Sequence, residues 1–308
     1  MAQNAPLQNE DSLRGFGFAL SAYLLWGFLP LYMKALSHVS PLEVLAHRIL
    51  WSLPVAGLLL VLLGRTQDLK RALQTPRMVG MAALTAALIS VNWGIYVWAI
   101  GANRALDTAL GYYINPLFSV FLGAFLLKEP LTLAQKGAIA LAAAAVAVLT
   151  IDAGRLPLVS LSLMLTFGLY AYFKKSLPIG PNQGFFLEVL ILSPLALGYV
   201  IYAGVTGTGA FMAGNLMDDT LLIGCGLVTA VPLIMYANGA RLLRLSTIGI
   251  MQYIAPTMIF LTAVFVFGEP FGPARMIAFP MIWAALVIYT LSMLRSARAR
   301  KRAAPPPL

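Results

Sequence analysis

The chain has 308 residues, of which 60% are hydrophobic and only 10% charged, with a formal net charge of +10. Soluble domains carry about 25% charged residues, so this composition excludes an ordinary water-soluble enzyme and points to a bilayer. Its lysines and arginines lie between apolar runs rather than on one basic face, which argues against nucleic acid as a partner and fits loop charge beside a membrane.

In chain order, the first 14 residues are polar and no A-x-A site follows a short apolar run, so no removable signal peptide is expected. At about 20 apolar residues per crossing, helices are expected near 15–34, 42–63, 78–101, 105–127 and 132–151. Five more are expected near 157–174, 184–204, 219–240, 246–267 and 273–294. The longest loops, 65–77 and 205–218, leave no room for a soluble domain. The single cysteine, Cys225, sits in an apolar run and reads as a small buried hydrophobe, with neither a disulfide framework nor a CxxC metal site available. Phosphate-cradling, H-E-x-x-H and G-x-S-x-G motifs are lacking from the sequence, so a self-powered ATPase pump, a familiar hydrolase and a cofactor are not expected.

The ten segments are a five-helix unit written twice. Shifted by 140 positions without a gap, Tyr32 falls on Tyr172, Pro54 on Pro194, Tyr96 on Tyr236, Tyr113 on Tyr253, Pro116 on Pro256 and Glu129-Pro130 on Glu269-Pro270. A repeat this long is a duplicated half, not a solenoid unit of about 20–50 residues. Because five crossings is an odd number, the second copy enters from the opposite side, and the expected fold class is an all-α integral membrane protein of ten transmembrane helices in two inverted five-helix repeats. The repeats span 1–151 and 152–294, followed by a basic tail at 295–308 that is expected to be disordered. With both termini inside, 16 lysines and arginines fall in inner segments against 4 in outer ones, which orients the chain with cytoplasmic termini.

Ionisable and polar groups inside crossings are expensive and are functional candidates by default. Pro116 and Pro256 each remove a helical hydrogen bond, from the carbonyls of Tyr112 and Gln252. Interrupted helices at matching positions mark either a midplane site or a packing kink. Thr108, Tyr112, Asn115 and Ser119 share one face of the fourth segment, and Thr85, Asn92, Tyr96 and Asn103 form a similar stripe on the third. Cys225, Thr229, Pro232 and Tyr236 repeat the pattern on the eighth, with Gln252 on the ninth. Such stripes face either one another, as interhelical glue, or a wet cavity. The first segment groups Tyr23, Trp26, Gly27 and Pro30, a flat aromatic surface for an apolar or cationic solute. The second carries Glu43, His47, Trp51 and Pro54 on one stripe with Arg48 beside it, and the shift maps Arg48 onto Glu188. The expected substrate pathway is therefore Trp26, His47, Arg48, Asn92, Tyr96, Tyr112, Asn115, Glu188, Tyr236 and Gln252. If protons drive the cycle, His47 and Glu188 are the coupling candidates, since imidazole alone has an unperturbed pKa, about 6.5, close to cytoplasmic pH.

Two inverted five-helix halves with a Glu-Pro junction in each resemble the drug/metabolite transporter superfamily and its EamA-type repeats. The runs Ala22-Tyr23-Leu24-Leu25-Trp26-Gly27, Leu29-Pro30-Leu31-Tyr32 and Leu45-Ala46-His47-Arg48-Ile49-Leu50-Trp51-Ser52 are similar to the bacterial RarD branch, and Asn92-Trp93 and Gly111-Tyr112-Tyr113-Ile114-Asn115-Pro116 agree. The resemblance implies a multi-pass carrier of the bacterial inner membrane, with a central cavity lined by crossings one to four and six to nine, and with crossings five and ten peripheral. Members of the superfamily mostly export amino acids, other metabolites or drugs, and the RarD branch is named for chloramphenicol sensitivity. The expected partners are a small organic solute and the lipid bilayer, the protein being a monomer or weak homodimer. The halves differ where Asn115 becomes Ala255 and Arg48 becomes Glu188. A competing reading is a membrane-embedded enzyme acting on lipids, with Glu43 and His47, one helical turn apart, as its acid/base pair.

Overall fold

The computed structural model describes residues 12–303, apart from 63, 65, 127, 129, 130, 177 and 244. All ten expected crossings are helical. They are α1 (Leu13–Ala35), α2 (Pro41–Leu62), α4 (Pro76–Gly101), α5 (Ala105–Leu126), α6 (Leu133–Ala153), α7 (Leu158–Ser176), α8 (Pro181–Thr206), α9 (Leu216–Arg241), the pair α10 (Leu245–Met251) and α11 (Ile254–Leu261), and α12 (Pro273–Ala303). Among the described residues nine are long and apolar enough to cross a membrane, counting Thr247–Val266 as one, and Leu158–Lys174 is a shorter apolar helix. The protein is an all-α, multi-pass membrane protein.

Local chemistry sets several of these ends. Thr132 and Gln135 form a reciprocal capping box at the start of α6, which Gly154 closes at φ 62°. Pro76 and Pro181 open α4 and α8 at the position where a missing N–H costs nothing. Asn103, at φ 57°, ends α4, and the N–H of Arg104 then returns to the carbonyl of Ala99 at 2.8 Å.

Three expectations need correction. The loop at 65–77 contains a short helix, α3 (Thr66–Leu73), which packs on α4 and α8 through Leu69 and Ala72. The matched interruptions at Pro116 and Pro256 are not matched in the structure, because α5 runs unbroken through Pro116. Only the ninth crossing breaks, at Gln252-Tyr253, where the ring of Pro256 displaces the carbonyl four residues back. This crossing ends in a π-helical turn, Thr262–Val266. The tail expected to be disordered from 295 is helical as far as Ala303, since an Ala/Arg/Lys run has high helix propensity, while residues 304–308 and the Glu129-Pro130 junction lie outside the described residues.

Helices of the two sequence halves interleave: α1 packs on α9 and α11, α2 on α8 and α9, α5 on α7 and α11, and α6 on α12. Their ends define two faces. On the near face, where α1 begins, the N–H of Ser12 donates to the carbonyl of Leu242 at 3.1 Å and the hydroxyls of Thr132 and Ser292 meet at 3.2 Å. The far face, where α1 ends, is tied by buried carboxylates and ion pairs. There Glu43 accepts the N–H groups of Ala210 (2.8 Å) and Phe211 (2.9 Å), and Glu269 accepts those of Ala105 (2.6 Å) and Leu106 (2.9 Å). Arg275 contacts Asp107 at 3.3 Å, and His38 contacts Asp218 at 3.0 Å.

Candidate functional site

Between the interleaved helices lies a cavity of about 710 Å³, within the range of about 300–1,000 Å³ typical of ligand sites. Its wall comes from α1, α2, α4, α5, α7, α8, α9, α11 and the turn that joins α10 to α11; no residue of α6 or α12 lines it among the described residues. Eight of the ten expected pathway residues lie on it: Trp26, Arg48, Asn92, Tyr96, Tyr112, Asn115, Tyr236 and Gln252.

Aromatic rings form two groups. Tyr23, Trp26 and Tyr236 meet with ring centroids 5.6–5.9 Å apart. Across the cavity Tyr96, Tyr112, Phe167 and Tyr170 follow one another at 5.9–6.0 Å, the tilted and edge-on spacings that aromatic pairs favour. Several wall positions are equivalent under the 140-residue shift: Ile89 with Thr229, Trp93 with Leu233, Tyr96 with Tyr236, Tyr112 with Gln252 and Asn115 with Ala255.

Polar side chains on the wall are locked to different degrees. Asn92 donates to the carbonyl of Leu163 (3.1 Å) and the hydroxyl of Thr166 (2.9 Å), and its own oxygen accepts from Tyr112 at 3.0 Å. Arg48 is 3% exposed; its Nε donates to Thr229 Oγ1 at 3.1 Å and its guanidinium lies 4.9 Å from the Trp93 ring centre. Arg48 Nη1, the Tyr96 hydroxyl and Asn115 Oδ1 are buried without a hydrogen-bond partner. Lys174 lines the cavity towards the near face and donates to Glu188 at 2.6 Å.

Two expected pathway residues are not on the wall. Glu188, 1% exposed, sits behind Lys174 and Tyr170, whose Nζ and hydroxyl both reach its carboxylate. His47 accepts a hydrogen bond from Trp51 Nε1 at 3.0 Å and packs on Phe211 at 4.5 Å, so the loop at 207–215 covers it on the far side. Nor do Glu43 and His47 make an acid/base pair, because both oxygens of Glu43 are taken by backbone amides. The expected stripes hold only in part. Thr85 and Thr108 return their hydroxyls to their own helices, and Asn103 accepts from Lys34 at 2.5 Å. Phe167, Tyr170, Lys174, Asn182 and Phe185 were not picked out as wall residues from the sequence. The aromatic run Phe167-Gly168-Leu169-Tyr170, its rings seven and four residues ahead of Lys174, is the signal that would have found the first three.

Residues 13–151 match the EamA-like transporter family. An uncharacterized transporter of Vibrio cholerae serotype O1 is 40% identical over 294 residues, 96% of this chain and 97% of that protein. Protein RarD of Streptomyces exfoliatus is 42% identical over 302 residues, 97% of this chain and 95% of that protein. A crystal structure 20% identical in sequence superposes with a TM-score of 0.58, covering 91% of this chain and 98% of the other, which shows a shared fold. With a relative named as a transporter matching nearly its whole length, the chain belongs to the EamA-like transporter family, alongside the RarD-named proteins.

Proposed function

We propose that this membrane transporter is a secondary carrier that exports small organic solutes by alternating access. In this reading residues 1–151 and 152–294 are two inverted five-helix repeats that rock about the central cavity, with the chain in a bacterial inner membrane and both termini in the cytoplasm. The observation that carries it is the wall itself: positions related by the 140-residue shift, such as Tyr96 and Tyr236, line one cavity from opposite halves. A midplane site at the interface of two repeats is what such carriers use. The carboxylate caps and ion pairs that tie the far face support a conformation closed on that side. Solute counterflow into proteoliposomes holding only this protein, screened over labelled amino acids and amphenicols with a pH gradient imposed or absent, tests the reading. Saturable counterflow of at least one solute is expected. A second reading, transport coupled to protons, is favoured by the Lys174–Glu188 pair at the cavity edge, with Glu188 ahead of His47 as the proton site.

A further inference from the structure

We propose that the cavity binds the carboxylate of an organic anion, held on the Nη1–Nη2 edge of Arg48 with the apolar body of the solute between the aromatic groups. The inference rests on the reading of this cavity as the solute site. Among the described residues the wall holds two cations, Arg48 and Lys174, and no carboxylate. Lys174 is neutralised from behind by Glu188 at 2.6 Å. Arg48 has no carboxylate partner among the described residues, although it is 3% exposed and an arginine in a protein does not lose its proton. A buried charge without a counter-charge is strongly unfavourable, and here no carboxylate among the described residues supplies one.

The guanidinium is also pre-set for a planar anion. Thr229 takes Nε at 3.1 Å and Trp93 backs the group at 4.9 Å, which fixes the fork and leaves Nη1 unpartnered. A carboxylate accepts two parallel, charge-assisted N–H bonds from such a fork, whereas a hydroxyl offers one neutral oxygen and an ammonium is repelled. The Tyr96 hydroxyl, also unpartnered, is a further donor on the same wall. The aromatic rings suit an apolar or cationic body taken alone, as the sequence suggested; the charge on the wall decides for an anion.

Three probes with one body and different charge test this: 3-phenylpropionate, 3-phenylpropan-1-ol and 3-phenylpropylamine, titrated into the whole protein in lipid nanodiscs and followed by tryptophan fluorescence from Trp26 and Trp93. The wild type is expected to bind the carboxylate at least tenfold more tightly than the alcohol or the amine. Arg48→Gln should erase that preference while keeping the affinity for the alcohol, and Arg48→Lys should restore part of it. If Arg48→Gln does not fold, Thr229→Ala, which frees Nε and loosens the fork, should reduce the preference several-fold. Equal binding of the three, preference for the amine, no binding of any, or a carboxylate preference that survives Arg48→Gln would overturn the proposal. Because binding is read without flux, a protein that shows the preference but moves no solute in liposomes would count against the carrier reading and leave this one standing.

Discussion

The carboxylate of Glu269 accepts the backbone N–H of Ala105 at 2.6 Å, so the loop that follows the ninth crossing caps the first turn of α5 in the other half of the sequence. Glu43 does the equivalent work in the reverse direction, from α2 of the first half to Ala210 in the second. Both carboxylates are almost fully buried, at 4% and 2% exposure. Charge-assisted bonds to amides, in one case at a helix N-terminus, draw the two halves together on the far face.

Glu269→Gln is expected to loosen that closure. Losing the charge at the start of α5 should cost about 1–2 kcal/mol. The native thiol gives the readout: Cys225 is fully buried in α9, on the far-face side, and should become more reactive to a small methanethiosulfonate in the variant. Unchanged labelling together with an unchanged unfolding midpoint would show that Glu269 does not hold the far face.

Close approach of α2 and α9 depends on Gly226, where an added Cβ would lie 2.2 Å from the backbone of Trp51. Small residues at such contacts let membrane helices meet backbone to backbone. Gly226→Ala should lower stability by about 1–3 kcal/mol through overpacking. Gly198→Ala, which meets nothing within 4 Å, should be neutral or slightly stabilising. Comparing the two thermal unfolding midpoints in one detergent checks this, and equal shifts would contradict it.

His47 and Glu188 are both coupling candidates by residue type, but the His47 ring is enclosed by Trp51 and Phe211 away from the cavity wall. His47→Gln should therefore leave flux driven by a pH gradient within about twofold of the wild type, well short of the tenfold loss that about 1.4 kcal/mol would produce. Glu188→Gln should abolish pH-driven flux and spare solute-for-solute exchange. The variant should also be less stable, since Lys174 loses its partner, and adding Lys174→Gln should restore part of the loss, a coupling that a double-mutant cycle measures. The opposite pattern, with His47→Gln silent to a pH gradient and Glu188→Gln responsive, would return the role to His47.

The crossings and much of the cavity wall were legible in the sequence because two signals coincided there. Apolar length marks the helices, and the repeat singles out polar and aromatic residues such as Tyr96 and Tyr236 that lipid would not tolerate. What stayed hidden depended on contacts across the halves. Nothing in a one-dimensional pattern says that Glu43 and Glu269 reach backbone amides more than 160 positions away. Lys174 reads as loop charge until its helix is seen to turn it into the cavity against Glu188. The two proline sites look alike in sequence, yet only Pro256 lies at a break, since Pro116 falls in a helix packed closely on α7 and α11. In α3, Leu69, Ala72 and Leu73 are spaced for one face of a helix, but eight residues are too few to stand out from a polar loop.

Alternating access predicts that one position on the cavity wall is reached by water from each side of the membrane in turn. Leu233, an apolar wall residue from the second half, can carry the probe as Leu233→Cys in a Cys225→Ser background. In sealed vesicles of defined orientation, a membrane-impermeant thiol reagent should label this cysteine from the near face and, more slowly, from the far face. Labelling from one face only, under every gradient and solute tried, would contradict the account.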